Sequence, residues 1–223
     1  MTSEILYEDK YILVCVKPAG IATQSKKIGS QDMVSILKNH IAETSGISGE
    51  PYLAVIHRLD QPTSGILVFA KTPEAARNLN RQIKEGGFEK HYLAELRSIP
   101  IPREGILEHY LVKDAHSNFM HICDAQTPGA KLARLSYQVI KINDDSSCIA
   151  EILLETGRQH QIRVQMAAIH CPIAGDAKYG VPDPAHKQLG LYACRLIFRH
   201  PHSQNTMSFK WNPFGSIPGT DYA

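Results

Sequence analysis

His57-Arg58-Leu59-Asp60-Gln61-Pro62-Thr63-Ser64-Gly65 runs directly into the apolar stretch Ile66-Leu67-Val68-Phe69-Ala70. The first part has the Pro, Thr, Ser and Gly of a tight turn, and the second reads as a fully buried strand that holds the turn from below. Asp60 therefore stands as a carboxylate on a rigid support. Its modest alternative is an Asx-turn, in which the side chain merely accepts nearby backbone N–H groups.

Working outward, Ser30 can cap a helix from about Gln31 to Thr44, with Val34, Leu37 and Ile41 on one face and Gly46 beyond its end. Thr72-Pro73-Glu74 predicts a second helix start, and the segment runs through Leu79 and Ile83 to a Gly86-Gly87 stop. Strands are expected over Tyr11–Val16, Ile66–Ala70, His91–Leu96, Leu135–Ile142, Cys148–Leu154, Leu191–Phe198 and Thr206–Trp211. Several follow one another with little between them, which favours antiparallel pairing over repeated βαβ crossovers. The expected class is α+β, built on a mixed, largely antiparallel sheet. Thr156 and Gln159 have capping-box spacing, so a third helix is expected from Gly157 or Arg158 to Cys171, placing Arg163 beside an apolar face of Ile162, Met166 and Ile169. The segments 99–108 and 113–128 look variable and carry no element assignment.

The 223 residues, 43% hydrophobic, suffice for one large or two closely joined lobes. No run of eighteen apolar residues is present, and the acidic N-terminus MTSEILYEDK does not have the form of a signal peptide. Five scattered cysteines, Cys15, Cys123, Cys148, Cys171 and Cys194, are odd in number and lack a CxxC pair, which points to free thiols in a reducing cytoplasm and away from zinc or any other metal site. The formal charge is only +2, but Arg158, His160, Arg163, Lys178, Arg195, Arg199 and His200 gather in the last third, where they form either a solvated basic face or an RNA-contacting one.

The string HRLDQPTSGILVFAKT resembles the catalytic motif of the RluA-type family of RNA pseudouridine synthases, whose essential residue is the Asp of HRLD. Further segments are similar to that family in the same order: Lys17-Pro18-Ala19-Gly20, Lys90-His91-Tyr92-Leu93-Ala94, Thr156 to Arg163, and Pro172 to Asp176 with Tyr179-Gly180. Two positions depart from its pattern, Val16 where Asn is common and Gln165 where His is usual. The resemblance implies a pseudouridine synthase fold with a central active-site cleft. It implies Asp60, Tyr92 and Arg163 as catalytic residues, with Tyr92 stacking on the target uracil and Arg163 facing Asp60. Arg58 and His57 would contact RNA, as would Lys17, Lys71, Arg158 and His160. Left to local chemistry, Tyr92 is a packing residue, Arg163 a structural ion pair and the two lysines solvated. The implied reaction consumes no external reagent and needs no cofactor. The implied partner is ribosomal or transfer RNA, with no membrane and a monomeric state. The expected organisation is a single catalytic domain over residues 1–223, without the N-terminal S4-type RNA-binding domain of many relatives. A non-catalytic RNA-binding protein and a glycosidic-bond hydrolase are the competing readings, the second lacking an obvious carboxylate partner for Asp60.

Overall fold

Two strands whose residues are buried without exception explain one half of the molecule. Ile12–Lys17 (β2) and Ser64–Ala70 (β4) pair antiparallel, with Leu13 opposite Phe69 and Cys15 opposite Leu67. Buried runs of this kind are expected where both faces of a strand are covered. On one face Ile12, Val14, Ile66 and Val68 pack with Ala75, Ala76 and Leu79 of the helix Pro73–Lys84 (α2), and with Phe88, Leu196 and Phe198. On the other, Leu13, Cys15, Leu67 and Phe69 are equally inaccessible. Each large apolar side chain so buried contributes about 1.5–3 kcal/mol.

The computed structural model describes residues 3–25, 29–46, 49–184, 186–215 and 217. The chain forms two compact units, Met1–Glu89 with Ala193–Trp211, and Lys90–Tyr192 with Asn212–Ala223. The first holds β1 (Glu4–Glu8), β2, α1 (Met33–Ser45), β3 (Ala54–Val55), β4 and α2, joined by β10 (Leu191–Arg199) and β11 (Thr206–Lys210) from the C-terminal part. Its strand order is β1-β2-β4-β10, with β11 on β10 and β3 on β4. The second holds β5 (Glu89–Leu96), β6 (Glu104–Lys113), β7 (Met120–Cys123), β8 (Lys131–Ile142), β9 (Cys148–Leu154) and α3 (Gln161–Ala168), in strand order β5-β9-β8-β6-β7 with antiparallel neighbours throughout. The result is an α+β protein with mostly antiparallel strands. Among the described residues no helix is long and apolar enough to cross a membrane.

α2 starts and stops where its sequence says. Thr72 accepts from the Ala75 N–H, Pro73 occupies the first turn, and Gly86 follows the end at φ +76°. α1 begins two residues later than expected, because Asp32 rather than Ser30 is the cap and closes a reciprocal box with Ser35. α3 departs further. It has no side-chain cap, its N-cap His160 is left-handed at φ 51°, and it spans eight residues. The expected Thr156–Gln159 box does not form. Gln161 does the work instead: its Oε1 accepts from Thr156 Oγ1 and the Arg158 N–H, and its Nε2 donates to the Arg134 carbonyl. β7 falls in the segment 113–128, and β6 begins in the segment 99–108 and runs through 109–112, which carried no strand expectation either. In β6 exposed and half-buried residues alternate almost throughout, so it lacks the apolar density by which the other strands are recognised.

The departure at Val16 is a core matter, since this residue is 6% exposed in mid-strand opposite Glu4 and Ile66. None of the five cysteines is in a disulfide, and Cys15, Cys148, Cys171 and Cys194 are buried. Burial pushes the Cys15 thiol up to about 12.

Gly65, the second residue of β4, sits at φ +126°, and a Cβ there would lie 2.3 Å from the Ala193 carbonyl oxygen of β10. Gly65→Ala therefore combines a backbone conformation that L-residues avoid with a clash against main chain. We expect it to cost on the order of 3 kcal/mol, read as a lowered urea midpoint. An unaltered midpoint would show that the turn does not need this approach.

Candidate active site

The Asp60 turn is held by the loop that follows β2. Lys17, fully buried, points its ammonium into three carbonyls: Pro18 at 2.9 Å, Ile21 at 2.7 Å and Gln61 at 3.0 Å. Gly20 N–H donates to the Gln61 carbonyl and Gln61 Nε2 donates back to the Gly20 carbonyl, both at 2.9 Å. Thr23 Oγ1 accepts from the Leu59 N–H at 3.2 Å and donates to the Leu59 carbonyl at 3.1 Å. The turn itself closes through the Thr63 N–H to the Asp60 carbonyl at 3.0 Å. Leu59 and Thr63 are buried while Asp60 is half-buried, so the carboxylate is presented from an immobilised main chain. The bracing loop is fixed in turn by α1, whose cap Asp32 also accepts from the Ser25 N–H and whose Met33 N–H donates to the Ala22 carbonyl.

This corrects the expected role of Lys17. A phosphate contact needs an accessible ammonium, whereas this one is spent inside the protein. Burial lowers its pKa to about 8, opposed by the charge of Asp60. Lys71 is likewise engaged, pairing at 2.6 Å with Glu8, which also meets His40 at 2.8 Å. His57 serves the scaffold. Its Nε2 accepts from the Val68 N–H at 3.4 Å and its ring meets Phe88 edge-on at 5.9 Å. Of the residues expected to touch RNA from this unit, Arg58 is the exposed one.

In the other unit, α3 carries Arg163, which is 6% exposed and bound in bidentate fashion to Asp176: Nε to Oδ2 at 2.8 Å and Nη2 to Oδ1 at 2.6 Å. Asp176 Oδ1 also accepts the N–H groups of Lys178 and Tyr179. Burial alone would raise the Asp176 carboxyl; Arg163 and those N–H donors outweigh it and hold the pKa below the ordinary carboxylate value. The Tyr179 ring lies 5.3 Å from the guanidinium carbon, and its hydroxyl accepts from the Met120 N–H and meets His160 Nδ1 at 2.8 Å. His160 is thus a buried packing residue, which corrects its assignment as an RNA contact. Arg158 is half-buried, its Nε donating to the Leu132 carbonyl. Gln165 is wholly buried and ties α3 to β6 and β8, donating to the Leu107 and Ala133 carbonyls and reaching His109 Nδ1 at 3.0 Å. Tyr92 sits in β5 opposite Ile152 and is 6% exposed, so stacking a base on its face requires neighbouring side chains to move.

The basic last third is only partly a solvated face. His160, Arg163 and His200 are buried, His200 against Asp9 at 2.9 Å, whereas Arg158, Lys178 and Arg195 are half-buried and Arg199 is exposed. Sequence reasoning quoted Asp176 without giving it a role, and no spacing rule connects residues thirteen apart. The Gly-Asp turn was the available signal: Gly175 has φ +68°, and a Cβ there would lie 2.0 Å from the Gln188 carbonyl oxygen.

Residues 11–168 match the family model described as RNA pseudouridylate synthase. The chain belongs to the RNA pseudouridylate synthase family. Among relatives, the ribosomal large subunit pseudouridine synthase D of Neisseria meningitidis serogroup B is 35% identical over 94% of this chain, which spans 58% of that protein's length. The dual-specificity RNA pseudouridine synthase RluA of Escherichia coli K12 is 32% identical, covering 92% of this chain and 91% of the relative. The fold is shared with human RNA pseudouridylate synthase domain containing 4, with a TM-score of 0.77 at 24% identity over 94% of this chain and 88% of that one. The human domain containing 1 protein has a TM-score of 0.75 at 22% identity, over 94% and 83%.

Two substitutions test this architecture. Lys17→Met strips the Pro18 and Ile21 carbonyls of their buried donor and should cost on the order of 3 kcal/mol in urea unfolding; a midpoint equal to wild type would refute the clamp. Asp176→Asn leaves Arg163 without its counter-charge and should cost about 3–5 kcal/mol at pH 7. Because the Asp176 pKa is depressed on folding, its contribution is complete above the unfolded value near 4 and disappears as pH falls through the folded value. The gap between wild type and variant should therefore close on acidification below about pH 4, and a gap constant down to pH 2 would rule out the ionised pair.

Proposed function

We propose that this protein is an RNA pseudouridine synthase that isomerises uridine in ribosomal or transfer RNA through Asp60. The observation that carries the reading is the Asp60 turn, a half-buried carboxylate on a main chain fixed by Lys17, Gly20, Gln61 and Thr23, within a family named for this reaction. A reacting carboxylate gains from such support, because misplacement by a fraction of an ångström erodes the advantage of proximity.

In the reaction the C1′–N1 bond of uridine breaks, the uracil turns, and C5 bonds to C1′. The C5 hydrogen then leaves as a proton and N1 ends protonated, so the product is an isomer and no reagent is consumed. Two routes begin from the Asp60 carboxylate: attack at C1′ as a nucleophile, or abstraction of a sugar proton to give a glycal. The nucleotide must first leave its stack, at a cost of a few kcal/mol, offset by protein contacts to its base and phosphates. In this proposal Tyr92 contacts the uracil ring, Arg163 supplies positive charge toward the carboxylate, and Arg58 contacts the RNA around the extruded nucleotide. Arg163 reaches that task pre-oriented, since a bidentate carboxylate fixes the plane of its guanidinium.

The test is tritium release from RNA transcribed with 5-tritiated uridine. Wild type should release label from a ribosomal or transfer RNA fraction, and Asp60→Asn should lower release at least 1,000-fold while retaining RNA affinity. Release of free uracil would instead indicate hydrolysis, and tight binding without any release would indicate a non-catalytic RNA-binding protein.

A further inference from the structure

A positive surface of the Asp60 unit lies outside all of the motifs. Along α2, Arg77, Arg81 and Lys84 are exposed at i, i+4 and i+7, one stripe of the helix. With Asn80 and Tyr52 they line a groove of about 670 Å³ whose single acid is Glu85. Among the described residues the three cations have no ion pair and no side-chain hydrogen bond, in contrast to Lys17 and Lys71. Tyr52, at the far end, is 46% exposed, with its ring available beside the cations.

The placement of the groove gives it a direction. β3 pairs with β4 through Ala54–Ala70 and Val55–Phe69, so Tyr52 lies toward the start of α2 and the His57–Asp60 segment toward the other end of β4. α2 runs back along β4, and Phe88, just past its end, packs on the His57 ring. The Lys84 end of the groove thus approaches the segment that carries exposed Arg58 and Asp60.

We propose that this groove is a secondary RNA-binding site, holding a single strand of the substrate that flanks the target uridine. Its phosphates lie against Lys84, Arg81 and Arg77, and a base stacks on Tyr52. The inference rests on the synthase reading for its substrate but has its own observations: a continuous stripe of unpaired cations, one exposed aromatic, and a path starting beside the Asp60 turn. Arg77 to Lys84 spans about 10 Å of helix, which matches on the order of three phosphates of one strand. Interleaved cations and an aromatic are the pattern that binds unpaired RNA through backbone charge and base stacking.

The test uses the full chain carrying Asp60→Asn, with fluorescein-labelled oligouridine of twelve and of three nucleotides, titrated at several KCl concentrations. Arg77→Ala/Arg81→Ala/Lys84→Ala should weaken the twelve-mer at least tenfold and reduce the slope of log K against log salt by about 2. The trimer, too short to engage the Asp60 turn and the groove together, should lose less affinity than the twelve-mer. Tyr52→Ala should weaken the twelve-mer several-fold without altering the slope, and Tyr52→Phe should restore it. A triple variant that binds the twelve-mer as wild type does, with the same slope and melting temperature, overturns the proposal and leaves the face to a partner other than RNA. Tritium release with the Asp60 residue restored separates the two readings. Normal release with unaltered twelve-mer binding in the triple variant sinks the groove alone. Absent release from wild type, with salt-sensitive loss of binding in the triple variant, sinks the synthase reading and supports the groove.

Discussion

The buried ammonium of Lys17 is the constraint on which the Asp60 turn depends. A lysine removed from water carries a desolvation cost of several kcal/mol unless its donors are matched, and here three carbonyls match three N–H groups. Two of those carbonyls belong to its own loop and the third to Gln61, so one group ties the end of β2 to the reactive turn. The reciprocal Gly20–Gln61 pair and the double bond of Thr23 to Leu59 then act on a main chain that is already placed. Removing any one weakens the brace, whereas removing the ammonium leaves buried acceptors exposed to nothing.

A parallel logic governs α3. Its moderate length, left-handed entry and lack of a side-chain cap make it a poor helix by local criteria. It persists because six of its eight residues are buried, Ile162, Val164 and Met166 by apolar packing, and Gln161, Arg163 and Gln165 through hydrogen bonds to Arg134, Asp176, Leu107 and Ala133. Polar groups at such depth are stable when they are largely matched, and although Gln165 Oε1 has no hydrogen-bond partner, the same bonds that stabilise the helix also fix where the Arg163 side chain lies. Gln165 takes part in this network as a donor to two strands, and its presence in place of His is a matter of how α3 is attached.

The architecture was legible where one physical signal dominated. Buried runs such as Ile66–Ala70 and Cys148–Leu154 were placed within two residues, and α2 was read from Thr72, Pro73 and the Gly pair. β6 escaped because its exposed positions interrupt the apolar pattern, and α3 was misread because a plausible local box at Thr156 and Gln159 lost to the longer reach of Gln161. At the site, the Asp60 turn was evident from its own residues. The functions of Lys17, His57 and His160 were not, since a polar residue's role depends on whether it is covered, and coverage is set by segments distant in sequence. Lys17 meets Gln61, forty-four residues on, and His160 meets Tyr179.

The distribution of charge follows from the same competition. A chain with a net charge of only +2 has little long-range field to attract a polyanion, so whatever attraction it has must come from local concentration. Counting cations along the sequence pointed to the last third, yet there two of the positive groups are drawn inward: Arg163 to Asp176 and His200 to Asp9. Cations used internally neutralise internal acids and add nothing to the outer potential at short range. Those left over on α2 face few nearby acids, because Glu74 sits at the helix start, where its charge complements the helix dipole, and Glu85 alone borders the groove. The protein thus separates two uses of positive charge. Buried arginine and lysine fix geometry, and the exposed stripe on α2 supplies a salt-sensitive attraction that leaves the Asp60 support undisturbed.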